Sequence, residues 1–209
     1  HKTAYEIERK DLALSGGKQD QYAAAFGGFN YIEFLPDDRV IVNPLKVKRW
    51  ITDELEASLL LYFTGKSRSS ARIIDEQKKN TSSGNEEAIQ AMHLIKQSAV
   101  DMKAAVLKGD MNEFSRILGS SWENKKKMAQ GISNQNIQKA FDVAMAAGAK
   151  SGKVSGAGGG GFIIFFVDPV DKKRVEEALK ALDGFVLPFL FTDGGAHGWK
   201  IYQTDTVNK

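Results

Sequence analysis

The chain contains no cysteine among its 209 residues. That excludes disulfides, thiol nucleophiles and thiolate metal sites, and it suits a reducing compartment. No apolar run approaches the ~20 residues that a membrane helix needs, and no secretory signal is legible. No internal repeat is visible, and no GxxxxGK[ST] phosphate loop occurs anywhere. Positive charge is in only mild excess, with net charge +3 and pI near 8.9. The two basic runs, Lys78-Lys79 and Lys125-Lys126-Lys127, are not interleaved with aromatics. They read as solvated helix faces, so neither a nucleic acid nor a membrane is an expected partner. What remains is ordinary for a cytoplasmic globular protein, with 42% hydrophobic and 26% charged residues. The length allows one large domain or two small ones.

In chain order, His1 to Lys10 has helical spacing without a cap signal and reads as the tail of a helix. Ser15-Gly16-Gly17-Lys18-Gln19-Asp20-Gln21-Tyr22 then places an amide, an acid and a cation directly after two glycines. Ala23 to Phe26 continues as helix, with Asp20 about one turn inside it beside Lys18 and Gln21, and Gly27-Gly28 ends it. Phe29 to Leu35 and Arg39 to Asn43 read as a hairpin about Pro36-Asp37-Asp38. Pro44 to Trp50 is a connector and a candidate domain boundary. Leu55 to Phe63 reads as a buried strand, followed by a small-residue loop, Thr64 to Ser70, that carries Lys66 and Arg68. A helix is expected over Ala71 to Lys79. The next places Ala88, Met92, Ile95, Ala99, Met102 and Val106 on one stripe expected to be core, with His93 at its boundary. Gly109 ends it, and Asp110 with Glu113 opens a further helix whose inner face is Phe114, Ile117 and Leu118. A fourth opens near Ser133 and buries Ile137, Ala140, Phe141 and Ala144.

Lys153 to Phe162 is a second glycine-rich stretch, with Ile163 to Val167 as a buried strand behind it. A helix with Val175, Ala178, Leu179 and Leu182 inside comes next. Phe185 to Phe191 reads as an edge strand because of Pro188, and Trp199 to Tyr202 as a closing strand. Helices packed on one face of an antiparallel sheet make the fold class α+β. Gly156, Gly158 and Gly161 satisfy GxGxxG literally, but the loop is read as following a helix and opening a strand. A dinucleotide fingerprint has the reverse order. Four successive glycines still need a reason, since each costs entropy on ordering. Either the loop is a backbone nest for phosphate oxygens, or another backbone segment approaches closely. For Gly16 to Tyr22 the alternatives are a capped helix start or an anion- and hydroxyl-binding helix terminus.

Lys153-Val-Ser-Gly-Ala-Gly-Gly-Gly-Gly-Phe162 resembles the third signature motif of the GHMP kinase superfamily. Gly16-Gly-Lys-Gln-Asp-Gln-Tyr22 resembles the segment that carries the catalytic Asp in its sugar-kinase branch. The run from Tyr22 to Asn30 and the loop from Tyr62 to Ser70 are most like the D-glycero-D-manno-heptose 7-phosphate kinases, with fucokinases next. The resemblance implies transfer of the γ-phosphoryl group of ATP, with Mg²⁺, to the anomeric hydroxyl of a sugar phosphate. Asp20 would accept or orient the hydroxyl proton, kept ionised by Lys18 and the helix N-terminus. Gly16, Gly17 and Gln21 would hold sugar hydroxyls. Charge alone suggests that Lys66, Arg68 and Arg72 meet the sugar's own phosphate. Ser155, Gly156, Ala157, Gly158, Gly159 and Gly160 would form an active-site loop beside the ATP phosphates.

The family's ATP loop, rich in Pro, Gly and Ser, has no counterpart here. The chain is therefore expected to be a carboxy-terminal portion that is inactive alone, with most Mg²⁺ ligands outside it. Residues 1–50 would close an S5-domain-2-like domain, and 51–209 would form a ferredoxin-like second domain. A homodimer is compatible with this reading. The competing readings are a fucokinase- or galactokinase-like sugar 1-kinase and a non-catalytic binding or oligomerisation module.

Overall fold

The computed structural model describes residues 2–65 and 70–199. Lys66 and Arg68, and the closing strand expected beyond Trp199, lie outside the described residues. Helix α1 (Lys2–Glu6) continues as a π-helical turn over Ile7–Asp11, and α2 spans Gln19–Phe26. Strands β1 (Asn30–Phe34) and β2 (Val40–Pro44) form the expected hairpin. Helix α3 (Arg49–Ser58) leads into β3 (Leu59–Phe63). Four helices follow, α4 (Ser70–Ser82), α5 (Glu86–Lys108), α6 (Met111–Lys126) and α7 (Gln135–Ala146). Strands β4 (Ala149–Val154) and β5 (Phe162–Val167), helix α8 (Lys172–Leu179) and strand β6 (Phe185–Leu187) complete the order.

The four-stranded sheet runs β4-β5-β3-β6 with every pairing antiparallel. Numbered within the sheet this is the order 2-3-1-4 of a βαββαβ ferredoxin-like unit, so the α+β expectation holds. The main core lies where Leu60 and Tyr62 of β3 and Ile163, Phe165 and Val167 of β5 meet Trp122, Ile137, Phe141, Val175 and Leu179 from α6, α7 and α8. The period-2 alternation of β3 and β5 sends Leu59, Ile164 and Phe166 to the other face. There they pack with Ile51 and Leu55 of α3 and Leu118 of α6. The caps at Asp110 and Gly109 form as read: Asp110 accepts from the Glu113 N–H, and Gly109 is left-handed.

Three sequence expectations change. Leu55 to Ser58 is helix rather than strand, because Ile51 and Leu55 are one turn apart and both buried, and the extended run begins only at Leu59. The α5 stripe is core only at its ends. Ala88 and Val106 are buried, whereas Met92 is 39% exposed and its neighbours Leu94 and Val100 exceed 40%. The glycine stretch follows a strand, β4, and not a helix. Helix α7 stops at Ala146, and Gly152 of β4 lies directly under the Phe165 ring, where a methyl would come within 2.6 Å. The loop is thus the turn of a β4–β5 hairpin, still without the helix that a dinucleotide fingerprint must open. The strand-like run after Phe185 ends at Leu187, before Pro188, on the sheet edge.

The two ends of the chain cross at four glycines. The Gly28 N–H donates to the Thr192 carbonyl at 2.8 Å, and Ala196 N–H to Ala24 at 3.0 Å. A side chain on Gly27 would lie 2.3 Å from the Gly194 carbonyl carbon, and one on Gly195 would lie 2.1 Å from the Ala25 oxygen. Backbone therefore passes against backbone, which only glycine permits.

Candidate active site

Helix α2 begins at Gln19 with Lys18 in the N-cap position and no side-chain cap bond. Asp20 is its second residue, exposed and in the first turn, where the unpaired N–H groups favour a carboxylate. Ser15 does not cap the helix; its hydroxyl donates to Asp75 of α4 at 3.0 Å. Lys18 does not pair with Asp20 either. Its ammonium bonds Asp38 in the β1–β2 turn, which holds it above its ordinary range, and it lies 5.2 Å from the Tyr5 ring centroid. Asp20 thus draws its electrostatic support from the helix terminus, not from Lys18. Gln21 is 5% exposed; its Nε2 donates to Glu8 Oε2 at 2.7 Å and its Oε1 has no partner among the described residues. The two glycines differ. Gly16 is packed against Arg9, whereas a side chain on Gly17 would meet nothing within 4 Å. Packing therefore accounts for Gly16 and not for Gly17.

The glycine hairpin rests on the segment before α7. The Gly159 N–H donates to Ile132 O at 2.8 Å, and Asn134 Nδ2 donates to Gly159 O at 3.0 Å. A methyl on Gly158 would lie 2.9 Å from Ile132 O, and one on Gly159 would lie 2.5 Å from Ile73 Cδ1 of α4. Close backbone approach therefore explains Gly158 directly, whereas Gly159 is packed under the Ile73 side chain. Gln77 of α4 donates to Ala157 O at 3.5 Å. Helix α4 thus touches both glycine-rich stretches, the first through Asp75 and Ser15, the second through Ile73 and Gln77. Arg72 of the same helix is exposed. A cavity of about 290 Å³ opens beside the hairpin, lined by Gly159, Gly160, Thr64 and Asn134 to Ile137. Amide, hydroxyl and peptide groups share this lining with apolar surface of about equal extent, and they could bond phosphate or hydroxyl groups.

Lys125 was expected on a solvated face, and that is corrected: its ammonium donates to the Gly156 carbonyl. Burial, with the positive charge of Lys153, pushes the Lys125 pKa down to about 8. Lys153, also lowered by burial, donates to Ser121 Oγ at 2.7 Å. An unfolded lysine keeps its proton up to about 10.5. Between those pH values the unfolded chain binds the extra proton, so stability rises with pH across this window. Lys125→Met is expected to reduce that rise to the part that Lys153 contributes. Urea titrations at the two ends of the window should show the variant's stability advantage over wild type shrinking as pH increases, and a constant difference would refute the assignment.

Sequence reasoning missed Arg9, Asp75, Gln77, Lys125 and Asn134. Only Asn134 carried a local signal, as an N-cap residue whose side chain accepts from the Ile137 N–H. Among the described residues no three His, Asp or Glu side chains converge as a metal cluster requires.

Residues 102–183 match the family GHMP kinases C terminal. Over 200 residues the chain is 50% identical to D-glycero-alpha-D-manno-heptose 7-phosphate kinase of Campylobacter jejuni, covering 96% of this chain and 58% of that protein. The crystal structure of a D-glycero-D-manno-heptose 1-phosphate kinase from Bacteroides thetaiotaomicron is similar, at 58% identity and a TM-score of 0.73. It covers 97% of this chain and 55% of that one. L-fucokinase/L-fucose-1-P guanylyltransferase of Bacteroides fragilis is 27% identical over 175 residues, covering 80% of this chain and 18% of that protein. The chain therefore spans little more than half the length of the heptose kinases it matches.

Proposed function

We propose that this chain is the carboxy-terminal portion of an ATP-dependent kinase that phosphorylates the anomeric hydroxyl of D-glycero-D-manno-heptose 7-phosphate. The observation that carries this reading is the 50% identity to the Campylobacter heptose 7-phosphate kinase across nearly the whole chain. Residues 1–50 would close a first domain, and 51–209 would form the second. ATP, when bound, supplies the γ-phosphoryl group. Phosphoryl transfer needs mainly positioning and charge stabilisation, and this chain's own groups are assigned as follows. Asp20 accepts or orients the proton of the anomeric hydroxyl, which is more acidic than an ordinary alcohol. The peptide groups of Gly16 and Gly17 hold neighbouring hydroxyls; the open approach to Gly17 supports this. The spare Oε1 of Gln21 accepts from a group brought by the ligand. Lys18, engaged by Asp38, is assigned no part in proton transfer.

The hairpin from Ser155 to Gly160 would border the phosphates, and the amide, hydroxyl and peptide groups of the adjoining cavity are suited to bonding them. Mg²⁺ would accompany ATP through ligands mostly outside this chain. Lys66, Arg68 and Arg72 would meet the 7-phosphate, since Arg suits bidentate phosphate contact.

The test is a comparison of heptose 7-phosphate with the unphosphorylated heptose and with L-fucose, using the full-length protein and measuring ADP release. The 7-phosphate is expected to be the preferred substrate. Arg68→Glu should raise KM for it and leave turnover of the unphosphorylated sugars unchanged. Preference for an unphosphorylated sugar would replace this reading with a fucokinase-like one.

A further inference from the structure

We infer that Arg9 is a positioning residue for Asp20, acting as a guanidinium clamp on the loop that launches α2. The inference rests on the reading of Asp20 given above. Arg9 sits in the π-helical turn, where the Leu12 N–H reaches back five residues to Ile7 O at 2.9 Å. Such turns aim side chains that a regular helix would place elsewhere. Its Nε donates to Gly17 O at 3.1 Å, and its Nη1 donates to Leu14 O at 3.3 Å and Ser15 O at 3.4 Å. One planar side chain therefore collects three carbonyls from the four residues before the α2 cap. A charged donor makes each bond stronger than a neutral one would, and the Arg9 side chain is only 14% exposed.

Two further observations show that the loop is shaped around this guanidinium. A side chain on Gly16 would lie 2.3 Å from Arg9 Cζ and 2.4 Å from Nη2, so glycine is needed here for the arginine. Ala13, at the loop's entrance, is left-handed with φ 51. A non-glycine residue in that region is strained and persists only where surrounding bonds hold it. The clamp is also joined to α2 itself. Glu8 Oε2 lies 3.3 Å from Arg9 Nη2 and accepts from buried Gln21, the residue after Asp20. Arg9 thus holds the peptide before α2, while Glu8 holds its first turn. A lysine could reach one of these carbonyls, but it lacks the planar fork that reaches three.

The test is a double-mutant cycle in the full-length protein, reading kcat, KM for each substrate and melting temperature. Arg9→Ala is expected to lower kcat about 10- to 100-fold, the scale of a small displacement of a reacting group, with a much smaller change in KM for ATP. Arg9→Lys should recover little of it. In the Asp20→Asn background, Arg9→Ala should cost no further activity, because a positioning residue has nothing left to position. Should Arg9→Ala fold poorly, Gly16→Ala, which pushes the guanidinium off the loop from the other side, should reproduce the kcat loss and its absence in the Asp20→Asn background. Losses that multiply in the double variant, or full recovery by lysine, would overturn the clamp while leaving Asp20 in place. An active Asp20→Asn protein would instead remove the reading of Asp20 and the clamp with it.

Discussion

Asp20→Asn in the full-length protein is expected to lower phosphoryl transfer by about 10²- to 10⁴-fold, the usual worth of a positioned acid–base group. The amide is nearly isosteric and can still bond a sugar hydroxyl, but it cannot take the proton. The Asp20 side chain is exposed and makes no hydrogen bond or ion pair to any described residue, so the fold does not depend on it. The change removes only its favourable position in the first turn of α2, worth about 0.3–1 kcal/mol. Activity and stability should therefore separate cleanly. ADP release is expected to collapse while the denaturant midpoint moves little. Near-normal transfer would take Asp20 out of the chemistry and favour the non-catalytic module.

The largest effect on stability is expected at Phe165. It is fully buried in the middle of β5, lies edge-on to Phe141 with ring centroids 5.2 Å apart, and covers Gly152 on the neighbouring strand. Phe141 in turn stacks on Trp122 at 5.5 Å. Phe165→Ala would open a cavity that α7 and two strands all border, with an expected cost of about 3–5 kcal/mol. That is a large fraction of the about 5–15 kcal/mol of a typical domain, and the strand that loses its packing is the one that carries the glycine hairpin. Equilibrium unfolding by denaturant measures it. A loss below about 1 kcal/mol would mean that the neighbouring rings close over the vacancy.

The elements with strong local chemistry were legible in the sequence. The cap at Asp110, the left-handed Gly109, the Phe162–Val167 strand and the apolar face of α7 depend on residues a few positions apart. Where the readings failed, the deciding information was distant. The Leu59–Leu61 run made Leu55 to Ser58 look extended, although Ile51 and Leu55 face a core supplied by Leu118 and Phe166. Strand β4, Ala149–Val154, has little apolar alternation of its own and is defined by its pairing with β5. The stripe on α5 has correct helical spacing, but Met92 and Ala99 in its middle are exposed. At the candidate site both glycine stretches were visible as composition. The helix between them was read too, but not its contacts with both, because Asp75 meets Ser15 across 60 residues and Gln77 meets Ala157 across 80. Arg9 was equally hidden, since nothing in a sequence marks which arginine will gather three carbonyls.

The glycine crossing of Gly27-Gly28 with Gly194-Gly195 also bears on the order of events during folding. The segments it joins lie nearly a whole chain length apart, and closure entropy opposes such contacts until intervening structure has shortened the distance between them. Contacts of that separation slow folding. The carboxy-terminal end of α2 therefore gains its backbone partners only after the sheet and its helices have formed. A nascent chain that still lacks residues 192–196 therefore lacks the partners of the Gly28 N–H and the Ala24 carbonyl at the end of the helix that presents Asp20.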